Sequence, residues 1–356
     1  MALRARLSAP REEKNEWKWH EIKWSSLPIS AMWNKDRRLE AENYLTTGYS
    51  VRIAMESKKN INVRMGDMVR VWQPSRLKGI QVSRKFGTPF LAATQVFDLR
   101  PTPRKFLSLD RTDNYEDRFV KNGTIVVTCS GSVGRATLTY SPHENTLISH
   151  DILRVEPNDS YYWGWIYAFL RSEQAQAMMK SAQYGHVIKH LEPEHLNTLP
   201  LPIPNRSVLE QFQNDVLEVI NKRNSYWALQ SKAEELFEQA VGVIEEEADL
   251  LELPHSISAS ELFVGRRRLE AAFHSPLVKT ILNQFKEAGL RTQPLGDLSE
   301  RIWWLNRFKR VFGEEGGVRY LSADELFSIN PPITKRVMIE QAENADEFFV
   351  KAGWIV

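Results

Sequence analysis

Ser130-Gly131-Ser132-Val133-Gly134-Arg135 sets two glycines three apart between β-forming runs and follows them with an arginine. That spacing predicts a tight turn with uncovered backbone N–H groups. With the planar donor fork of Arg135 added, such a turn can hold a phosphate. A plain hairpin turn carrying a surface arginine is the alternative. Further on, Gln183-Tyr184-Gly185-His186-Val187-Ile188-Lys189-His190 alternates polar and basic residues with apolar ones beside a glycine. An aromatic ring, two histidines and a lysine on one loop can read base edges and phosphates together, a solvated loop being the plainer reading. Positive charge also gathers in a third place, the basic loop with Arg76, Lys78, Arg84 and Lys85, and near Arg266 to Arg268. A nearly neutral chain, net +2, therefore still has room for a nucleic-acid face.

Other chemistry finds less support. Asn330-Pro331-Pro332-Ile333 comes near the Asn-Pro-Pro-aromatic signature of amino-methyltransferases, but its fourth residue has no ring to stack on a flipped base. Strand rather than helical pattern follows Gly131 and Gly134, so they form no dinucleotide fingerprint, and no P-loop occurs. His186 and His190 stand four apart without the glutamate of a His-Glu-x-x-His zinc site, and no metal site is expected. The lone Cys129 reads as a buried strand-end residue rather than a nucleophile.

The elements that must position these residues follow from pattern. Phe119 to Thr128, with a Lys121-Asn122-Gly123 turn inside it, reads as the strand that feeds the Ser130 turn, and Ala136 to Tyr140 as the strand that leaves it. Leu147 to Val155 reads as another strand. Tyr161 to Lys180 reads as one helix with Trp165, Ile166, Phe169, Leu170 and Met178 inward. Upstream come a helix over Leu39 to Lys58, a turn and strand at Met65 to Val69, and a short strand at Phe90 to Phe97 that Arg100-Pro101-Thr102-Pro103 breaks. Trp17, Trp19, Ile22 and Trp24 suggest a short extended segment.

After the prolines at 200, 202 and 204 a single helical pattern runs to Glu247. Ser207 and Glu210 have capping-box spacing, and Leu209, Phe212, Val216, Val219, Tyr226, Phe237, Ala240 and Ile244 recur at heptad spacing, interrupted by Arg223 and Gln230. About 40 helical residues make a rod of roughly 60 Å. So narrow a stripe on so long a helix calls for another helix beside it, or else the helix lies across its own domain.

Sequence repeats on the two sides of this helix. Arg37-Arg38-Leu39-Glu40-Ala41 returns as Arg267-Arg268-Leu269-Glu270-Ala271, an offset of 230 residues (37 to 267). The same offset carries Gly66-Asp67 onto Gly296-Asp297, Gly87 onto Gly317, Phe97 onto Phe327, Pro101 onto Pro331 and Phe119-Val120-Lys121 onto Phe349-Val350-Lys351. The expected organisation is an N-terminal arm at 1–36, a first domain at 37–204, a spacer helix at 205–250 and, at 262–356, the N-terminal part of a second copy. The expected class is α+β: a mixed, β-rich domain, a long coiled-coil-type helix and a truncated duplicate.

With 42% hydrophobic and 26% charged residues the composition is that of a globular protein with ample core. No run of roughly 18 apolar residues occurs, and Met1 to Lys14 lacks the apolar centre of a signal peptide, so a cytoplasmic protein without membrane contact is expected. A single cysteine allows no internal disulfide.

Thr128 to Arg135, then Ile148-Ser149-His150-Asp151, a Trp/Tyr-rich helix, Tyr184 to Leu191, Leu199 to Pro204 and Glu210-Gln211 make a succession that resembles the target recognition domains of type I restriction-modification specificity subunits. The resemblance covers most of 37 to 247, and the second copy covers 267 to 356. It implies a non-catalytic reader of double-stranded DNA within a phage-defence system, with two recognition domains each reading half of a split target. It also implies long helices that bind adenine-methyltransferase subunits, with S-adenosylmethionine held by those subunits and a restriction-translocase subunit as a further partner. Residue by residue it places Ser130, Gly131, Ser132, Gly134, Arg135 and Tyr184 to His190 in or near the DNA-facing part, and the helix from Leu209 to Ile244 against the partners. The chain departs from the pattern by stopping before a second Ser-Gly-x-x-Gly-Arg turn. Either a homodimer through the spacer helix or a longer parent chain would supply the missing helix. The alternatives in other classes are the recognition half of a fused DNA methyltransferase or restriction enzyme, and a helical assembly protein without DNA contact.

Overall fold

The computed structural model describes residues 26–27, 29, 41–58, 62–76, 78–112, 114–185, 189–242, 256–263, 268–305, 309–313, 316–331, 335–339 and 345–356. Most of the expected arm, including Trp17 to Trp24, lies outside them, as do Arg37 to Glu40, His186 to Ile188, Ile244 and the rest of the spacer beyond 242, and Arg266-Arg267.

The first domain contains strands β1 (Asn62–Arg64), β2 (Val69–Trp72), β3 (Gln81–Val82), β4 (Thr88–Leu91), β5 (Lys105–Leu107), β6 (Ile125–Thr128), β7 (Ala136–Leu138), β8 (Leu147–Ile148), β9 (Ile152–Pro157) and β10 (Pro200–Pro202). Its longer helices are α1 (Thr47–Glu56), α2 (Trp163–Arg171) and α3 (Glu173–Ala182), and α4 (Arg206–Val241) follows. One antiparallel sheet has the order β2-β9-β6-β7, and a second has the order β3-β5-β4-β8, in which only β4 and β8 run parallel. Strands β1 and β10 form a separate antiparallel ribbon.

The β-branched run at 125–127 is buried on both sides, and strand alternation assigns the sides. Ile125 and Val127 join the core made with α2, α3 and Leu199. Val126 points the other way, into a smaller core with Leu91, Val96, Phe97, Val120 and Ile148 that ties the second sheet to the first.

Two expected single elements are each split. Leu147 to Val155 becomes β8 in one sheet and β9 in the other, because wholly buried Arg154 draws the corner together. Its guanidinium donates to the carbonyls of Ile148 (2.9 Å), Ser149 (3.0 Å) and Ile152. Burial pushes its pKa down to about 10, with the neighbouring Arg118 charge adding to the effect. The expected helix from 161 to 180 breaks at Ser172, whose backbone is extended and whose side chain caps α3 by accepting from Ala175 N–H.

The long helix is capped two residues earlier than Ser207 suggests. Asn205 is the cap, accepting from Val208 N–H at 3.1 Å, and Glu210 pairs with Arg206 at 2.8 Å instead of closing a capping box. Asparagine caps as well as serine does, and here it is the residue with extended backbone. The expectation that the whole heptad seam awaits a partner also needs correction. Leu209, Val216 and Ile220 are buried, and Phe212 meets Trp165 edge-on at 5.1 Å. This closeness is possible because α2 presents Gly164, where a Cβ would lie 2.5 Å from the Phe212 carbonyl oxygen. Arg223 donates to Thr137 Oγ1 and the Leu138 carbonyl, so it anchors the helix to β7 rather than standing free in the seam. Val219, Tyr226 and Phe237 remain exposed, although Phe237 also meets Phe285 at 6.5 Å. Among the described residues no helix is long and apolar enough to cross a membrane.

Beyond residue 256 the helix α5 (Pro276–Glu287) precedes a sheet of β11 (Val311–Phe312), β12 (Val318–Arg319) and β13 (Arg336–Met338), in the order β11-β13-β12. That order matches β3-β5-β4. Moreover, the pairs Thr88↔Leu107 and Pro89↔Phe106 fall, at the 230-residue offset, on Val318↔Val337 and Arg319↔Arg336.

One buried titratable group links the two sheets and sets a pH dependence. His143 Nε2 lies 3.2 Å from the Val96 carbonyl, and Nδ1 lies 3.1 Å from Tyr140 N and 3.2 Å from the Tyr140 carbonyl. Burial holds its pKa down to about 4, against 6.5 when exposed. Below pH 6.5 the unfolded chain takes up a proton that the folded one refuses, so this contribution to stability is lost as pH falls from 6.5 towards 4. The slope approaches about 1.4 kcal/mol per pH unit. Urea titrations of wild type and His143→Gln at pH 7 and pH 4.5 check this. The variant should lose less stability on acidification, and an equal loss would contradict the assignment.

Candidate nucleic-acid interface

At the end of β6 the chain enters the Ser130 turn, which Thr128 closes. Thr128 N–H donates to the Arg135 carbonyl (2.9 Å), its own carbonyl accepts from Gly134 N–H (2.9 Å), and its hydroxyl accepts from Arg135 N–H (3.0 Å) and donates to the Ser132 carbonyl. Gly131 and Gly134 take φ of +71° and +86°, the left-handed backbone that the glycine spacing predicts. The donors are arranged differently from the expected open cradle. Gly131 N–H goes to Lys189, Val133 N–H to Gly131, and those of Gly134 and Arg135 to Thr128. Gly131 and Ser132 are exposed at the tip, with Ser130 half-buried beside them.

The second candidate loop is fastened to the first. Tyr184 and His190 exchange both backbone hydrogen bonds (3.0 and 2.7 Å), closing the loop into a small hairpin. His190 stands opposite Ser130, Gly131 N–H reaches the Lys189 carbonyl at 3.1 Å, and Leu191 N–H reaches the Cys129 carbonyl at 2.9 Å. The Tyr184 ring lies 5.8 Å from that of His190 and 6.0 Å from that of His195, and its hydroxyl donates to Glu192 at 2.6 Å. Gln183 ends α3 and is half-buried, and Gly185 takes φ of +98°. Of this loop, His186 lies outside the described residues.

Two residues that carried no signal of their own join this end of the sheet. Gln73, just past β2, donates to the His150 carbonyl at 2.8 Å and to Cys129 Sγ at 3.4 Å. Burial pushes the Cys129 thiol up to about 12, with Asp151 adding to it, so it stays protonated and packs as a small apolar group. The chain then runs into the basic segment through Ser75, whose carbonyl accepts from the wholly buried Arg118 at 2.6 Å. Arg76, Lys78, Arg84 and Lys85 are all exposed. Arg84 lies over Phe106 at 6.0 Å and Lys85 over Phe86 at 5.8 Å, and Phe86 is itself exposed. Cations beside an open ring suit a phosphate backbone flanked by bases.

Arg135 leaves this group. Its guanidinium lies 4.6 Å over the Phe97 ring and donates to Ser328 Oγ at 2.8 Å. Burial lowers its pKa, opposed by the Asp98 and Glu325 carboxylates. The spacing places Arg135 with the turn; the fold directs its side chain to Phe97 and Ser328 instead.

No protein-family model matches the sequence, and no curated protein matches it. Among solved structures the chain is similar to the type I restriction-modification system S subunit from M. genitalium, with 17% identity and a TM-score of 0.33 over 75% of this chain and 57% of that one. It is similar to the HsdS subunit from Thermoanaerobacter tengcongensis at 15% identity and a TM-score of 0.30, over 58% of this chain and 50% of that one. It is also similar to the type IIG restriction endonuclease BpuSI at 14% identity and a TM-score of 0.37, over 49% of this chain and 28% of that one. The chain thus spans between 50% and 57% of the two S subunits.

Proposed function

We propose that this chain is a DNA-sequence reader of the type I specificity-subunit kind, without catalysis of its own. The observation that carries the reading is the backbone bonding of the Ser130 turn to the Gln183–His190 loop at one end of the main sheet. A base-reading surface needs side chains from separate segments held at fixed spacing by rigid elements. Backbone bonds supply that here and leave side chains such as Ser132 and Tyr184 outward. The basic segment supplies the sequence-independent attraction to phosphate.

The remaining roles follow from the same reading. Adenine-methyltransferase subunits, which bring the S-adenosylmethionine, dock on the exposed Val219, Tyr226 and Phe237 side of α4, and a nuclease-translocase joins them in the cytoplasm. The shared sheet order and register of the two copies support a second recognition domain for the other half of a split target. Self-pairing of two chains through α4 is the competing use of that helix face, reduced to its distal half because Phe212 meets Trp165 of α2 and Val216 joins the core that α2 helps to build.

Three outcomes test this reading. A Gln183→Ala/Tyr184→Ala/Lys189→Ala triple variant should change which duplex is selected from a randomised pool, each lost base contact being worth roughly 1–3 kcal/mol. An unchanged selected motif would move the specificity surface elsewhere. Arg84→Ala/Lys85→Ala should weaken binding to all duplexes alike and lower the slope of log K against log salt by about 2, one unit per phosphate contact; altered sequence preference at constant slope would contradict that role. Finally, the purified chain with labelled methyl donor and mixed-sequence DNA should transfer no methyl group until a methyltransferase subunit is added. Incorporation by the chain alone would make it the recognition half of a fused enzyme.

A further inference from the structure

One contact between the two copies obeys the symmetry of the repeat. Leu99 N–H donates to the Phe327 carbonyl at 2.8 Å, Ile329 N–H donates to the Phe97 carbonyl at 2.7 Å, and Asp98 faces Ser328 between them as an antiparallel pair. At the 230-residue offset Phe97 corresponds to Phe327, Asp98 to Ser328 and Leu99 to Ile329. Exchanging the copies therefore turns one hydrogen bond into the other, which is the signature of a local two-fold axis through the Asp98–Ser328 pair.

The contact is well buried on the incoming side. Ser328 is 8% exposed, Ile329 packs into the main core, and Ser328 Oγ, which accepts from Arg135, donates to the Phe97 carbonyl at 3.1 Å. Asp98 and Glu325 both favour the Arg135 charge. Glu325 is held ionised, its pKa lowered to about 2, by bonds from Ser322 N–H, Ser322 Oγ and Lys335. A phosphate approaching Arg135 in this state would have to displace Ser328 and face two carboxylates.

We propose that Phe97–Leu99 is a docking edge whose occupant is this chain's own Phe327–Ile329, and that docking withdraws Arg135 from DNA, while release returns it as a phosphate contact. The gating half of this inference rests on the DNA-reading function proposed above; the docking half does not.

The pair Asp98–Ser328 is the antiparallel type without mutual hydrogen bonds, in which Cα atoms lie about 4.5 Å apart, within reach of a disulfide. The full chain carrying Asp98→Cys/Ser328→Cys tests both halves, since its other cysteine, Cys129, is buried. Oxidation should give a monomer with a disulfide-linked peptide pair by mass spectrometry. Binding to a random-sequence duplex should then be weaker in the oxidised form, with a salt slope lower by about 1, and recover on reduction. Adding Arg135→Ala should make the two forms alike. Failure to crosslink, or crosslinking only between chains, overturns the docking edge. Crosslinking with equal DNA binding in both forms overturns the gating while leaving a DNA reader. Crosslinking with no duplex binding in either form overturns the DNA-reading function and the gating together.

Discussion

Burial of β6 on both faces is the constraint on which the arrangement depends. Ile125, Val126 and Val127 are all fully buried, so neither side of the strand is free to carry function. Function is left to the strand's end, where the chain must emerge through the Ser130 turn. The backbone at that end runs past its strand partners, and the Cys129 carbonyl and Gly131 N–H are paired by the chain around Lys189 to Leu191. A buried strand end has to find such partners, because an unpaired backbone group away from water is costly. The loop ending at His190 is therefore held by the same requirement that completes the sheet.

The two buried arginines show how the second sheet is brought against the first. Arg154 collects three carbonyls around the corner between β8 and β9, and Arg118 holds Ser75 where the chain leaves β2 for the basic segment. Guanidinium is the group suited to this, with five donors in a fixed plane and weak hydration. The cost shows in the donors left without partners among the described residues, Nε and Nη1 of Arg118 and Nε of Arg154.

Much of this was legible in the residues, and the parts that were not have physical reasons. The β-rich run at 124–128, the glycines of the turn and the long helix announce themselves through local periodicity and backbone preference, which need no tertiary context. The corner at Ser149–Asp151 does not, because Arg154 stands within the apolar run at 152–155 and only a partner sheet explains it. Ser172 was hidden inside a plausible helix, since a mid-helix serine and an N-cap are told apart only by backbone angles. The direction of Arg135 was out of reach for the same kind of reason. Its neighbours Phe97 and Ser328 are distant in sequence and meet only through the fold. Likewise the heptad seam of α4 suggested a foreign partner, while Gly164 made room for α2 to cover its first half.

The central claim is that the Ser130 turn and the Gln183–His190 loop face the bases from one surface. Photocrosslinking of the chain to a duplex pool bearing iodinated pyrimidines, followed by peptide mapping, tests it most directly. The account predicts crosslinks concentrated in 129–135 and 183–191, with backbone-proximal ones at 76–86. Crosslinks confined to the long helix at 206–241, or absent from both the turn and the loop, would contradict it.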